Sequence, residues 1–331
     1  MNLSQRITLA EKLGNYLNSD SWELSTIKQK AFEKNKWFTD EFVTIALKNI
    51  ATQMLQKDKL LKWTRYYRLD DNISPKNIGI VMAGNIPLVG FHDFLSVFIS
   101  GHLQTIKLSE KDNVLLPHFI AKLSEWEEEI NQAVQVTDLL KGCDAYIATG
   151  SNNSSRYFRH YFGKYPSLIR SNKTSVAILS GDETKEELEL LADDVHLFFG
   201  LGCRNVTRLS VPHNYDFGPL LHAFRKYNYF GDHTKYKNNY DYNLALLIMN
   251  HKKYMTNENI ILIEDEKIFS AVSQLHYTFY EKKNVILAEL TQNENIQGIV
   301  GKGSIEFGQA QNPGLFDYAD EADIIEFLLG L

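Results

Sequence analysis

The chain has 331 residues, 44% hydrophobic and 23% charged, with a formal net charge of −6. This is the profile of a globular protein with an ample core, one large domain or two ordinary ones, and its acidic balance argues against nucleic acid as the main partner. Two cysteines exclude a disulfide framework and suit a reducing cytoplasm, and the opening Met1–Arg6 leads into mixed polar sequence without the apolar core of a signal peptide, so a cytoplasmic protein is expected.

The first part of the chain reads as helices. Ile7, Leu9, Leu13 and Leu17 recur near helical spacing, and Phe42, Ile45, Ala46, Ile50, Met54 and Leu55 form a second apolar face. Trp22, Trp37 and Trp63 are expected to pack these helices onto the rest. The apolar stretch Ile78–Leu103 carries only Asp93 as a formal charge, but Gly84, Asn85, Pro87, Gly90 and Gly101 interrupt it. A buried strand–turn–helix unit is therefore expected rather than a membrane span. Asn77–Ala83 is the strand and Gly84-Asn85-Ile86-Pro87 the turn, with Pro87 suited to a first helical turn. Phe91–Ile99 is helical and Gly101 closes it. Leu103–Leu108 is a second strand, ended by Ser109-Glu110-Lys111-Asp112, which makes a β-α-β unit and hence a parallel sheet.

A helix follows over about 113–131, then a third strand, Ala145–Ala148. That strand runs into Thr149-Gly150-Ser151-Asn152-Asn153-Ser154-Ser155 and a helix over Arg156–Phe162. Strand, glycine and hydroxyl residues, then a helix N-terminus is a general anion-binding arrangement, with a plain helix cap as the alternative. Tyr165–Lys173 links to a strand at Ser175–Leu179. Thr184–Glu187 is a capping box opening a helix with the stripe Leu188, Leu191, Val195 and Phe198. Gly200 ends it, and Val206–Val211 is the next strand. The tyrosine-rich stretch 213–243 reads as surface loop and helix in preference to an aromatic substrate wall. Further strands are expected at Ile260–Glu264 and Asn284–Ala288, while 245–249 and 297–300 are apolar without a decided type. A domain boundary is placed near 172, with the chain leaving the second domain near 301.

Cys203, behind Gly200 and Gly202, is the candidate nucleophile. A thiol has a pKa of about 8.5 that a nearby cation lowers, and Arg204 or Arg208 could supply one. Locally, an inert core cysteine is the weightier reading, and Cys143 at a strand start is read as inert outright. The histidines are scattered without metal-ligand spacing, so no metal site is expected. Read locally, Asn85 could merely cap a helix starting at Ile86.

Four separated motifs, in order, resemble the aldehyde dehydrogenase superfamily. Gly84-Asn85-Ile86-Pro87-Leu88 is similar to its Asn-Phe-Pro segment, Lys107-Leu108-Ser109-Glu110 to its Lys-Pro-Ser-Glu segment, Thr149-Gly150-Ser151 to its Gly-Ser turn, and Gly200-Leu201-Gly202-Cys203 with Arg208 to its cysteine segment. The resemblance runs over about 78–211. The tail, Phe307–Pro313 and Asp317-Tyr318-Ala319-Asp320, resembles the bacterial acyl-CoA reductases related to the fatty acyl reductases of bioluminescence.

The resemblance implies an α/β, aldehyde dehydrogenase-like fold. A Rossmann-type cofactor domain with the N-terminal helices would span 1–172, an α/β catalytic domain 173–300, and a C-terminal segment, 301–331, would return to the cofactor domain. It implies Cys203 as nucleophile and Asn85 as oxyanion donor. It implies cofactor contacts at Lys107, Ser109, Glu110, Thr149, Gly150, Ser151 and Ser154. The cofactor would be NADPH, with NADH left open, and the substrate an acyl-CoA; a homo-oligomer or a partner enzyme of acyl transfer is compatible with this.

Two departures from the superfamily pattern matter. Where the superfamily carries a glutamate that activates water, this chain has Ile169-Arg170-Ser171-Asn172-Lys173, which favours acyl exchange with a thiol such as CoA over hydrolysis. The second glycine after Gly-Ser is also missing. The competing readings are an acyl-phosphate reductase or aldehyde dehydrogenase of the same fold, and a non-catalytic acyl- or nucleotide-binding subunit.

Overall fold

In a computed structural model describing residues 1–331, the early apolar stripes form four helices, α1 (Leu3–Leu17), α2 (Trp22–Lys34), α3 (Asp40–Asn49) and α4 (Lys57–Tyr66). Asn2, Ser21 and Thr39 cap the first three, each accepting a backbone N–H with its side chain. Leu13, Leu17, Phe42 and Trp63 are buried. Trp22 departs from expectation: it opens α2 at 79% exposure, while Leu24 and Ala31 carry that helix's packed face.

The chain divides into two compact units, Met1–Asn172 with Pro313–Leu331, and Lys173–Asn312. The first holds a sheet of β1 (Asn77–Val81), β2 (Leu103–Lys107), β3 (Val134–Val136), β4 (Ala145–Thr149) and β5 (Ser167–Arg170), in the order β3-β2-β1-β4-β5. Every pairing is parallel. Its crossovers are α5 (Phe91–Ser100), α6 (Leu115–Trp126), α7 (Ile130–Ala133) and α8 (Asn152–Phe162). The single helix expected over 113–131 is thus two, separated at Glu127, whose backbone is extended. α8 starts at Asn152 rather than Arg156, because the Ser151 hydroxyl accepts the Ser154 N–H at 3.2 Å. β3 and β5 are too short to show a pattern of their own. The order reverses at β1, which pairs with β2 on one side and β4 on the other, so the loops after β1, β2 and β4 all leave from the carboxyl edge, where open α/β sheets bind ligands.

The second unit holds β6 (Thr174–Ile178), β7 (Val206–Pro212), β8 (Met255–Thr256), β9 (Ile261–Glu264), β10 (Gln274–Tyr280) and β11 (Ile296–Val300), ordered β11-β6-β7-β10-β9-β8. Only β8 with β9 is antiparallel. Its helices are α9 (Lys185–His196), α10 (Phe217–Ala223), α11 (Thr234–Met249) and α12 (Lys283–Thr291). The strand expected at Asn284–Ala288 is therefore wrong: those residues form α12. Parallel β10 and β11 need a long crossover, and the place beside β6 belongs to β11. The undecided 297–300 lies in β11, and 245–249 ends α11. Of the tyrosines in 213–243, Tyr227, Tyr236 and Tyr240 are core residues, while Tyr229 and Tyr242 are exposed.

The chain leaves this unit at Asn312, later than the expected 301. Pro313–Leu331, with α13 (Ile324–Leu329), belongs to the first unit. Within that unit Trp63 Nε1 donates to the Tyr318 hydroxyl at 2.9 Å, and the Tyr67 hydroxyl donates to Asp323 Oδ2 at 2.5 Å. No helix is long and apolar enough to cross a membrane.

Candidate active site

In the first unit, three of the four motifs lie at one sheet edge. Asn85 follows β1 in a bend and is half-buried. α5 begins only at Phe91, with Gly90 in the capping position, so the helix-cap reading of Asn85 does not hold. Two motifs pack directly. A Cβ on Gly84 would stand 2.7 Å from both Cβ and Oγ of Ser109, so only glycine allows this approach. Gly84→Ala is expected to destabilise the first unit by about 1–3 kcal/mol through overpacking, read from urea unfolding; an unchanged midpoint would show that the two loops separate freely.

Asp112 ties the same two loops together. Its Oδ2 accepts the Leu88 N–H at 2.7 Å, and Leu88 sits at φ +57°, in the left-handed region. Oδ1 is buried without a hydrogen-bond partner. Burial pushes this carboxyl up to about 7, against the Leu88 N–H, which pulls it down. The folded chain therefore holds the proton more tightly than the unfolded chain, whose carboxyl titrates near 3.8, and the contribution to stability falls as pH rises from about 4 to about 7. Asp112→Asn keeps an acceptor for Leu88 and is expected to gain on the wild type in urea midpoint from pH 5 to pH 8. An identical gap at both pH values would rule this out.

Lys107 and Glu110 are exposed, and Ser109 is half-buried, its Oγ accepting the Lys111 N–H at 3.3 Å. After β4, Ser151 caps α8 and its hydroxyl lies 3.1 Å from that of Ser154. Gly150 lies flat on α8, where a Cβ would meet Ser154 Cβ at 2.8 Å. The Thr149 hydroxyl is buried without a partner. A backbone pressed close to a helix N-terminus, with an orphaned hydroxyl beside it, fits the phosphates and polar groups of a dinucleotide. At the end of β5, before the chain enters the second unit, Arg170 Nη1 donates to buried Asp93 at 2.7 Å.

In the second unit, Cys203 stands in the loop joining α9 to β7 and is half-buried, while Cys143 is buried and its thiol is pushed up by burial. Phe198 and Phe199 adopt φ +56° and +57°, and Gly200 follows at +72°. Bulky residues seldom enter this region, at a cost of roughly 1–2 kcal/mol each, and such strain persists only where surrounding bonds over-determine it. Here they do. Asn205 Oδ1 accepts the Gly202 N–H at 2.8 Å, its Nδ2 donates to the Asp194, Val195 and Leu197 carbonyls, and Ser175 Oγ donates to the Cys203 carbonyl at 3.3 Å.

Arg208 is buried, with Nη1 on the Glu266 carbonyl at 2.7 Å. Burial lowers its pKa, and its charged neighbours are Glu289 and Glu266. Asn205 and Asp112 were not legible as site residues. Their partners lie far along the chain or in backbone groups, and no side-chain spacing marks them.

With this geometry, the parallel and the mostly parallel sheet belong to an aldehyde dehydrogenase-like fold. No family profile and no curated sequence relative matches the chain. Solved structures do. A mutant of the P. syringae indole-3-acetaldehyde dehydrogenase AldA, in complex with NAD+ and IAA, matches with TM-score 0.62 and 12% identity over 87% of this chain and 69% of that one. Aldehyde dehydrogenase 21 from Physcomitrella patens, with its product succinate, matches with TM-score 0.64 and 14% identity over 91% and 74%. The aldehyde dehydrogenase KauB from Pseudomonas aeruginosa matches with TM-score 0.62 and 14% identity over 87% and 69%. Likeness at this identity establishes the fold.

Proposed function

We propose that the chain is an NAD(P)H-dependent acyl-CoA reductase: acyl-S-CoA + NAD(P)H + H+ → aldehyde + CoA-SH + NAD(P)+. The observation that carries this is the Cys203 loop, a half-buried thiol on a backbone fixed by buried hydrogen bonds, in a chain of aldehyde dehydrogenase-like fold. The Cys203 thiolate attacks the thioester carbonyl. The CoA thiolate leaves and takes a proton, and a thioacyl-Cys203 remains. One thioester replaces another, so the exchange is near neutral, and the protein contributes position and oxyanion stabilisation. Asn85 is the side-chain donor to that oxyanion.

Thr149, Gly150, Ser151 and Ser154 would hold the cofactor's phosphates, and Lys107, Ser109 and Glu110 its adenosine ribose. When bound, the reduced nicotinamide supplies the hydride that releases the aldehyde. Lys107 suits a 2′-phosphate electrostatically and Glu110 opposes one; the family resemblance favours NADPH. Arg170, paired with Asp93 next to the place of the missing glutamate, offers no base for water, which supports thiol exchange over hydrolysis. The reading is tested by comparing NADPH oxidation with octanoyl-CoA and with octanoyl phosphate, and NADP+ reduction with octanal. The CoA thioester is expected to be fastest in initial rate. A faster acyl phosphate, or oxidation of octanal to free octanoate, moves the assignment to another reductase or dehydrogenase of this fold. No turnover in all three assays, with octanoyl-CoA still bound, favours a binding subunit.

A further inference from the structure

The Phe307–Asn312 segment lies a hundred residues beyond Cys203 in sequence, yet both are fastened to the last turn of α9. Asp194, buried in that turn, accepts the Gly308 N–H on Oδ2 at 2.7 Å and the Ala310 N–H on Oδ1 at 3.0 Å. Gly308 adopts φ +80°, and a Cβ there would stand 2.8 Å from Leu190 Cδ2 on the same helix. The segment is therefore seated closely on α9, with a glycine at a left-handed position where a side chain would be strained and would have to displace Leu190.

The main-chain carbonyl of the same Asp194 accepts from Asn205 Nδ2 at 3.1 Å, as do those of Val195 at 3.3 Å and Leu197 at 2.9 Å. Asn205 then reaches back to the residue before the cysteine: its Oδ1 takes the Gly202 N–H, and its own N–H donates to the Gly202 carbonyl at 3.1 Å. Asn205 is fully buried, and the left-handed run Phe198–Gly200 lies inside this bracket.

We infer that Asp194 and Asn205 are positioning residues which transmit the seating of the Phe307–Asn312 segment to the backbone that presents Cys203. The inference rests on the reading of Cys203 as the nucleophile. A helix end that only had to stop would be served by a glycine cap and water. This one holds bulky residues in a sparsely populated conformation, with one asparagine closing the loop from both sides and one aspartate tying it to a distant segment. Displacing the segment tilts the turn whose carbonyls Asn205 holds, and Gly202 moves with it.

The test uses the full chain with Asp194→Asn, Gly308→Ala and the double variant. Asp194→Asn keeps shape but loses one of two N–H acceptors; Gly308→Ala lifts the segment from its own side without touching the cysteine loop. With octanoyl-CoA and NADPH, each single variant is expected to lower kcat by about tenfold or more with KM within about threefold, the pattern of a displaced nucleophile rather than lost binding. Iodoacetamide alkylation of Cys203, followed by peptide mass with Cys143 as internal reference, is expected to change rate by at least about threefold. The double variant should be within about twofold of the worse single, since both cut one coupling.

Folded variants with wild-type kcat and alkylation rate overturn the inference, and so do single effects that multiply in the double. If wild type turns over no acyl-CoA from acetyl to palmitoyl, the proposed function fails by itself, and the alkylation rates alone decide the positioning role. If Asp194→Asn does not fold, Gly308→Ala decides by the same two readouts.

Discussion

Cys203→Ala is expected to lower the proposed acyl-CoA reduction by at least about 10³-fold while leaving the fold intact, because the proposed nucleophile has no substitute in a covalent mechanism. The loop around it is held through the Gly202 N–H and the Cys203 carbonyl, and alanine preserves both bonds. The chain supplies its own control. Cys143→Ala removes a buried thiol that packs under Tyr146 beside Gly79, at a stability cost on the order of 1 kcal/mol, with activity unchanged. Steady-state NADPH oxidation and urea unfolding on the two variants separate chemistry from packing. Wild-type turnover in Cys203→Ala removes the covalent mechanism altogether.

The second large effect belongs to Asn85. It lies in a bend well ahead of α5 and caps no helix, so its side chain is not needed to start one. As the proposed oxyanion donor it would act on charge that develops only in the transition state. Asn85→Ala is therefore expected to lower kcat by roughly 10²–10³ while KM stays near wild type. Asn85→Asp should be no better, since a carboxylate repels the oxyanion. A rise in KM with kcat preserved would instead make Asn85 a ground-state binding contact.

What was legible in the sequence follows from how local each feature is. The first two parallel strands are short β-branched runs bounded by glycine, proline or charge, and both form where expected, at Asn77–Val81 and Leu103–Lys107. The Thr184–Glu187 capping box forms with both of its bonds, because every group it needs lies within one turn. β10, at Gln274–Tyr280, mixes polar and aromatic residues and is a strand by virtue of neighbours on both sides. Asn284–Ala288 has the opposite character: β-branched and apolar, it becomes the helix that carries the chain from β10 to β11.

The candidate site divides in the same way. Glycines and hydroxyl residues at strand ends are visible as patterns. Asp112, Asp194 and Asn205 act through burial and through backbone groups brought from elsewhere, and only the folded chain shows those. Arg208 illustrates the reverse: its place in the sequence offered it as a cation for the thiol, and in the fold its Nη1 donates to the Glu266 carbonyl.

The most direct measurement is intact-protein and peptide mass spectrometry after incubation with acetyl-, butyryl-, octanoyl- and palmitoyl-CoA in the absence of nicotinamide cofactor. A single acyl increment on Cys203, lost on adding free CoA, is the expected result, and the chain that labels fastest names the substrate class. Labelling at Cys143 alone, or no adduct from any of the four thioesters, would contradict a thioacyl-Cys203 mechanism.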